Sequence, residues 1–122
     1  DEPMDAIVYG TLVSLGFATF ENLQYVYYSG GSPDAVAIIR AFTAIPLHAC
    51  CGIIMGYYFG LYMFKNKDTL NLFKSLFFAI GFHAVYNYFA TRNVFLMIVV
   101  LIILISFARK LHGILREEQK AH

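Results

Sequence analysis

Three short polar breaks cut this chain into four long apolar stretches, and few folds tolerate that pattern. The breaks are Ser29-Gly30-Gly31-Ser32-Pro33-Asp34, Lys65-Asn66-Lys67-Asp68 and Thr91-Arg92-Asn93. The stretches cover about residues 6–28, 35–64, 70–90 and 94–108, and a basic amphipathic tail occupies 109–122. A bilayer core of about 30 Å takes roughly 20 residues of helix. Gly and Pro stop a helix in the first break, and Asp34 is placed to cap the next one. Pro46 falls inside the second stretch and is expected to kink it. Only 14% of the residues are charged, against about 25% in soluble domains. That shortage excludes disorder and leaves a soluble domain of this size unable to hide its apolar surface. The expected fold is all-α: a polytopic transmembrane helical bundle of four spans, forming a single transmembrane domain in the lipid bilayer. The net charge of +1 offers nothing to nucleic acid. Cys50 and Cys51 are adjacent within an apolar run and read as small packing residues.

Basic residues orient the bundle. Lys65 and Lys67 lie in the second break, Lys74 lies just beyond it, and Arg109, Lys110, Arg116 and Lys120 lie in the tail. Both regions are therefore expected on the cytoplasmic side. The chain opens on Asp1-Glu2-Pro3, without a signal-peptide pattern. We expect a longer polypeptide to precede it.

Ionisable groups inside an apolar span are costly and point to function. Glu21 lies in the first span, Arg40 and His48 in the second, and His83 in the third. The plainer reading is a structural Glu–Arg or Glu–His pair that fixes helix packing. Spacing adds detail. Glu21 and Tyr25 are four apart, as are His83 and Asn87, so each pair shares a helix face. Arg40, Ala44, His48, Gly52, Gly56 and Gly60 form one ridge of the second span. Small residues at this spacing admit another helix backbone. Gly10, Ser14 and Ala18 make a matching stripe on the first span, leading to Asn22. The two spans are expected to pack closely, bringing Glu21 within reach of His48. The rise of about 1.5 Å per residue puts Glu21 and His83 roughly 10 Å below the outer face. The fourth span has no ionisable group in its core and is expected to be scaffold.

Two chemistries suit this set. A carboxylate in low dielectric can serve as general base, with His and Asn donors holding a developing oxyanion. Alternatively, Glu21, His48 and His83 can act as three ligands of a metal such as zinc, with a fourth position open to water. No short His-x-x-x-His run is present, so spacing does not choose between them.

At these same residues the chain resembles a known family. Phe20-Glu21-Asn22-Leu23-Gln24-Tyr25 has the form F-E-x-x-x-Y. Arg40, Pro46-Leu47-His48-Ala49, Gly52 and Gly56 follow in order, and His83-Ala84-Val85-Tyr86-Asn87 closes the pattern as H-x-x-x-N. Together these resemble the PrsW family of intramembrane proteases, which is related to the CAAX-processing and bacteriocin-processing membrane proteases. The resemblance covers about residues 1–90. It implies a polytopic protease of a bacterial inner membrane that cuts membrane-anchored or membrane-proximal proteins such as anti-sigma factors. It also implies that Glu21, His48, His83 and Asn87 form the catalytic centre. Asn87 stands where PrsW-like sequences often carry Asp. The family's upstream Glu-Glu-x-x-Lys motif is absent before Asp1, and without that helix this stretch alone is expected to be inactive.

Three function classes follow. A protease requires Glu21, His48 and His83 to converge on one water-accessible cavity. A scaffold packing a partner helix through Gly52, Gly56 and Gly60 requires them apart, or locked in dry pairs. A proton or ion pathway requires polar groups from face to face, and the cytoplasmic half is poor in them.

Overall fold

The computed structural model describes residues 2–120. Four helices follow one another: α1 (Pro3–Tyr27), α2 (Pro33–Leu61), α3 (Thr69–Ala90) and α4 (Val94–Lys120). A single π-helical turn, Tyr62–Asn66, extends α2. No strand occurs among the described residues. α1, α2 with its π-turn, and α4 are each long and apolar enough to cross a membrane. α3 is also long enough, with 22 residues, but falls short of the others in apolarity. It carries Asn71, Lys74, His83 and Asn87. The protein is an integral membrane protein with an all-helical fold.

The polar breaks work through local capping. Ser32, not Asp34, is the N-cap of α2, with its hydroxyl facing the Ala35 N–H at 3.5 Å. Pro33 fills the first helical position, where a missing N–H costs nothing, so the helix starts before Asp34 can cap it. Asp68 caps α3 by accepting from the Leu70 N–H at 2.9 Å. Asn93 caps α4 by accepting from the Leu96 N–H at 3.1 Å. Between α2 and α3 the chain turns at Lys67, whose φ of 49° is left-handed.

α2 is the hub, with α1, α3 and α4 packed around it. Its contact with α1 is backbone to backbone. A Cβ added at Gly52 would lie 2.6 Å from the Thr11 Cα and 2.8 Å from the Gly10 carbonyl oxygen. Gly56 meets Ile7 as closely, at 2.5 Å. The other side of α2 buries Leu47, Cys51 and Ile54 in a core completed by Tyr86 of α3 and by Met97, Leu101 and Leu104 of α4.

α4 reaches further than its most apolar run. The stripe Met97, Leu101, Leu104 and Ala108 continues through Leu111 and Leu115, all buried. At about 1.5 Å per residue its 27 residues extend roughly 40 Å. Residues 109–120 of the basic tail are therefore the last turns of a packed helix, and residues 121–122 lie outside the described residues. At that end Lys65 and Glu118 pair at 2.5 Å, and Gln119 donates to Glu2.

Candidate active site

The α1–α2 seam determines where the polar side chains meet. Ser14 faces α2 from the small stripe of α1, and its hydroxyl donates to the His48 carbonyl oxygen at 2.6 Å. Ala18, one turn on, is buried. The next turn brings Glu21 against α2. Its Oε2 lies 3.0 Å from His48 Nε2 and accepts from Arg40 Nη2 at 2.8 Å. Both pairs anticipated as packing devices are thus present, and they share one oxygen.

α3 supplies the third component. His83 Nε2 lies 3.7 Å from Glu21 Oε1, and the two imidazoles are edge to face with centroids 4.9 Å apart. Asn87, one turn along, places its amide nitrogen 3.4 Å from His83 Nδ1. The ring nitrogen facing Glu21 is therefore Nε2. That atom is buried and has no hydrogen-bond partner among the described residues. Leaving such a group unsatisfied costs about 1–3 kcal/mol, so an orphan of this kind calls for a ligand.

The site is enclosed on one side and open on the other. His48 is 2% exposed, and the Phe17 ring covers it at 5.8 Å. The side chains of Glu21 and His83 are 14% and 24% exposed. α1 and α3, each packed on α2, make little contact with each other.

Sequence reasoning paired Arg40 with Glu21 and put Tyr25 on the Glu21 face, but it did not join either to Asn22, and the structure builds all three into the site. Arg40 Nε donates to Asn22 Oδ1 at 2.6 Å. Its guanidinium carbon sits 3.9 Å over the Tyr25 ring, a cation–π arrangement. One legible signal was that Asn22 and Tyr25 flank Glu21 at i+1 and i+4. Nearby, the Tyr86 hydroxyl donates to Thr43 Oγ1 at 2.8 Å.

Glu21, His48 and His83 each offer one ligand atom, and these atoms lie within 4.8 Å of one another. Two imidazole nitrogens and a carboxylate form a common catalytic zinc set, which leaves a position for water. Zinc–ligand bonds of about 2.0–2.1 Å place neighbouring ligands roughly 3.3 Å apart. His48 Nε2 lies 3.0 Å from Glu21 Oε2 and His83 Nε2 lies 3.7 Å from Glu21 Oε1, so the two histidines face different oxygens of the carboxylate at separations near that value. With His83 Nε2 unpartnered, the residues fit the metal.

Comparison with known proteins gives concordant results. The family model described as PrsW family intramembrane metalloprotease matches residues 1–109. The chain is 42% identical over 89 residues to Protease PrsW of Geobacillus kaustophilus, covering 72% of this chain and 38% of that protein. It is 34% identical over 115 residues to Protease PrsW of Clostridioides difficile, covering 91% of this chain and 48% of that protein. Against Protease PrsW of Bacillus subtilis it is 48% identical over 60 residues, covering 49% of this chain and 26% of that protein. It thus spans less than half the length of each of these curated relatives. No solved structure matches it significantly.

Proposed function

The chain belongs to the PrsW family of intramembrane metalloproteases, and on that premise we propose that it carries the catalytic centre of a protease that hydrolyses membrane-anchored or membrane-proximal proteins. One observation carries the reading: three helices deliver Glu21, His48 and His83 to within 4.8 Å of one another, with a buried His83 nitrogen left unpartnered.

In this reading Glu21, His48 and His83 hold zinc. Bound there, zinc supplies Lewis-acid polarisation of water and of the scissile carbonyl. The chain's own groups do the rest. Asn87 stands behind the His83 ring at Nδ1; with its amide turned so that Oδ1 accepts from Nδ1–H, it would leave Nε2 free to bind and orient the ring, as acceptors behind metal-binding histidines commonly do. Phe17 keeps solvent from His48, so charges in the site interact strongly. The exposed edges of Glu21 and His83 mark where a peptide would enter between α1 and α3. A second reading is favoured by the 3.0 Å contact of His48 Nε2 with Glu21 Oε2. Here Glu21 is a general base without a metal, and the His48 and Asn87 donors hold the oxyanion.

The reading extends to location and substrates. The basic Lys65–Lys67 turn and the α4 tail face the cytoplasm, the site lies in the outer half of a bacterial cytoplasmic membrane, and the substrates are anti-sigma-factor-like proteins. A partner helix at Gly52, Gly56 and Gly60 would compete with α1 for that seam.

The test is cleavage of a membrane-anchored reporter by wild type, Glu21→Gln, His48→Ala and His83→Ala, with and without chelator. The expected result is loss of cleavage in all three at unchanged expression, with chelator inhibition reversed by zinc. Cleavage insensitive to chelator but lost in Glu21→Gln moves the mechanism to the metal-free base. Undiminished cleavage in all three variants refutes the site.

A further inference from the structure

Arg40 is a buried cation in direct contact with a site that fits a second cation. That is an awkward placement, because a metal and a guanidinium repel one another in low dielectric. Neutralising Glu21 would not require so elaborate a holder. The guanidinium is fixed at three points, all on α1: Nη2 on Glu21 Oε2 at 2.8 Å, Nε on Asn22 Oδ1 at 2.6 Å, and its face on the Tyr25 ring at 3.9 Å. The side chain is 10% exposed. A planar fork can hold two acceptors and a ring together, and a lysine ammonium cannot.

Holding the fork in this way distinguishes the two oxygens of Glu21. Oε2 is tied to Arg40 at 2.8 Å and lies 3.0 Å from His48 Nε2. Oε1 accepts no hydrogen bond among the described residues and faces the unpartnered His83 Nε2. We propose that Arg40, held by Asn22 and Tyr25, is a positioning residue that confines Glu21 to binding or proton transfer through Oε1 alone. A carboxylate released from this hold can turn both oxygens to a metal, as carboxylates do when unconstrained. Bidentate binding would fill the position that hydrolysis needs for water. The inference rests on the Glu21–His48–His83 reading and assigns the element that keeps that site open.

The consequence differs from a structural role. Removing Arg40 takes away a repelling cation and frees a ligand oxygen, so metal affinity holds or tightens while turnover falls. The expected fall is roughly 10- to 100-fold, the usual cost of losing a group that orients a ligand.

The experiment titrates cobalt(II), a spectroscopic stand-in for zinc, into the whole protein in lipid nanodiscs. Wild type, Arg40→Met, Arg40→Lys and Asn22→Ala are compared, with reporter cleavage measured in parallel. Wild type is expected to bind one cobalt with an intense four-coordinate visible band. Arg40→Met is expected to bind at least as tightly, with a visible band shifted from that of wild type because a carboxylate oxygen replaces water, and with reduced kcat. Arg40→Lys keeps the charge without the fork and guards against misfolding of the Met variant. It is expected to shift the same way, and Asn22→Ala to a smaller degree. A wild-type spectrum and wild-type kcat in Arg40→Met or Arg40→Lys overturn the proposal. If wild type cleaves but binds no cobalt, the zinc reading fails by itself. Positioning is then supported by a lower kcat at unchanged KM in Arg40→Lys, and overturned by wild-type kcat. A wild-type protein that does neither overturns both.

Discussion

Substituting Gly52 with alanine tests whether the seam positions the site. A Cβ at Gly52 would fall 2.6 Å from the Thr11 Cα and 2.8 Å from the Gly10 oxygen, both backbone atoms that cannot rotate away. Ordinary contact starts at 3.4 Å, so α1 and α2 must separate by about 0.8 Å. Gly52 lies one turn from His48, roughly 6 Å along the axis, and the displacement passes to the site almost undiminished. The His48–Glu21 contact of 3.0 Å then opens to about 3.8 Å, and the 2.6 Å Ser14–His48 bond stretches with it. A misplacement near 1 Å costs up to about 100-fold in rate. Stability should change less. Overpacking costs roughly 1–3 kcal/mol, and alanine for glycine in a helix offsets this by up to about 1 kcal/mol. The assay pairs reporter cleavage with thermal unfolding in detergent. Gly16→Ala on α1 is the control, because nothing lies within 4 Å of its added Cβ. Gly16→Ala should keep its rate and hold or gain stability. Wild-type cleavage by Gly52→Ala would refute the argument that this backbone contact positions the catalytic groups.

Other perturbations probe the surroundings. Tyr86→Phe removes the donor to Thr43 from a residue 3% exposed, and should cost about 1 kcal/mol in equilibrium unfolding. Leu115→Ala, at a site 3% exposed in the basic tail, should lower the melting temperature through a cavity costing roughly 2–3 kcal/mol. No measurable change there would mean the tail does not pack. Lys65→Ala breaks a pair whose side chains are 43% and 44% exposed, and should shift unfolding by less than about 1 kcal/mol.

The helices were legible because lipid imposes one simple rule. Apolar runs near 20 residues, broken by Gly, Pro and capping side chains, leave little choice of where a chain turns. Sequence periodicity matched the Gly10, Ser14 and Ala18 stripe with the small-residue ridge of the second span, and the structure packs those stripes together, with Gly52 against Gly10, Thr11 and Ser14. The end of α4 was harder to read. Apolarity fades after Ala108, whereas burial follows the narrower stripe through Leu111 and Leu115, which charged neighbours mask in any average. The expected Asp34 cap failed for a local reason: Asp34 and Ser32 are both good caps, and only Pro33 between them decides which one is used.

The site divides in the same way. Glu21, His48 and His83 stand out individually because each is expensive in lipid. Arg40 stands out for the same reason, but its partners do not: Asn22 and Tyr25 are ordinary at a membrane interface, and only the fold shows them gripping one guanidinium. Arg40 and His48 are two helical turns apart, roughly 12 Å along α2, yet both reach Oε2 of Glu21. A short side chain at position 40 could not cover that distance. The close approach at Gly52 brings α1 near enough for His48 to reach the carboxylate, and the length of arginine closes the contact from the other side. The glycine seam and the buried cation therefore act on the same carboxylate. Loosening the seam should move Glu21 away from His48 while Arg40, the longer and more adaptable of its two partners, keeps hold. Gly52→Ala and Arg40→Met are accordingly expected to fail differently: the first by parting Glu21 from the histidines, the second by leaving it among them with both oxygens free.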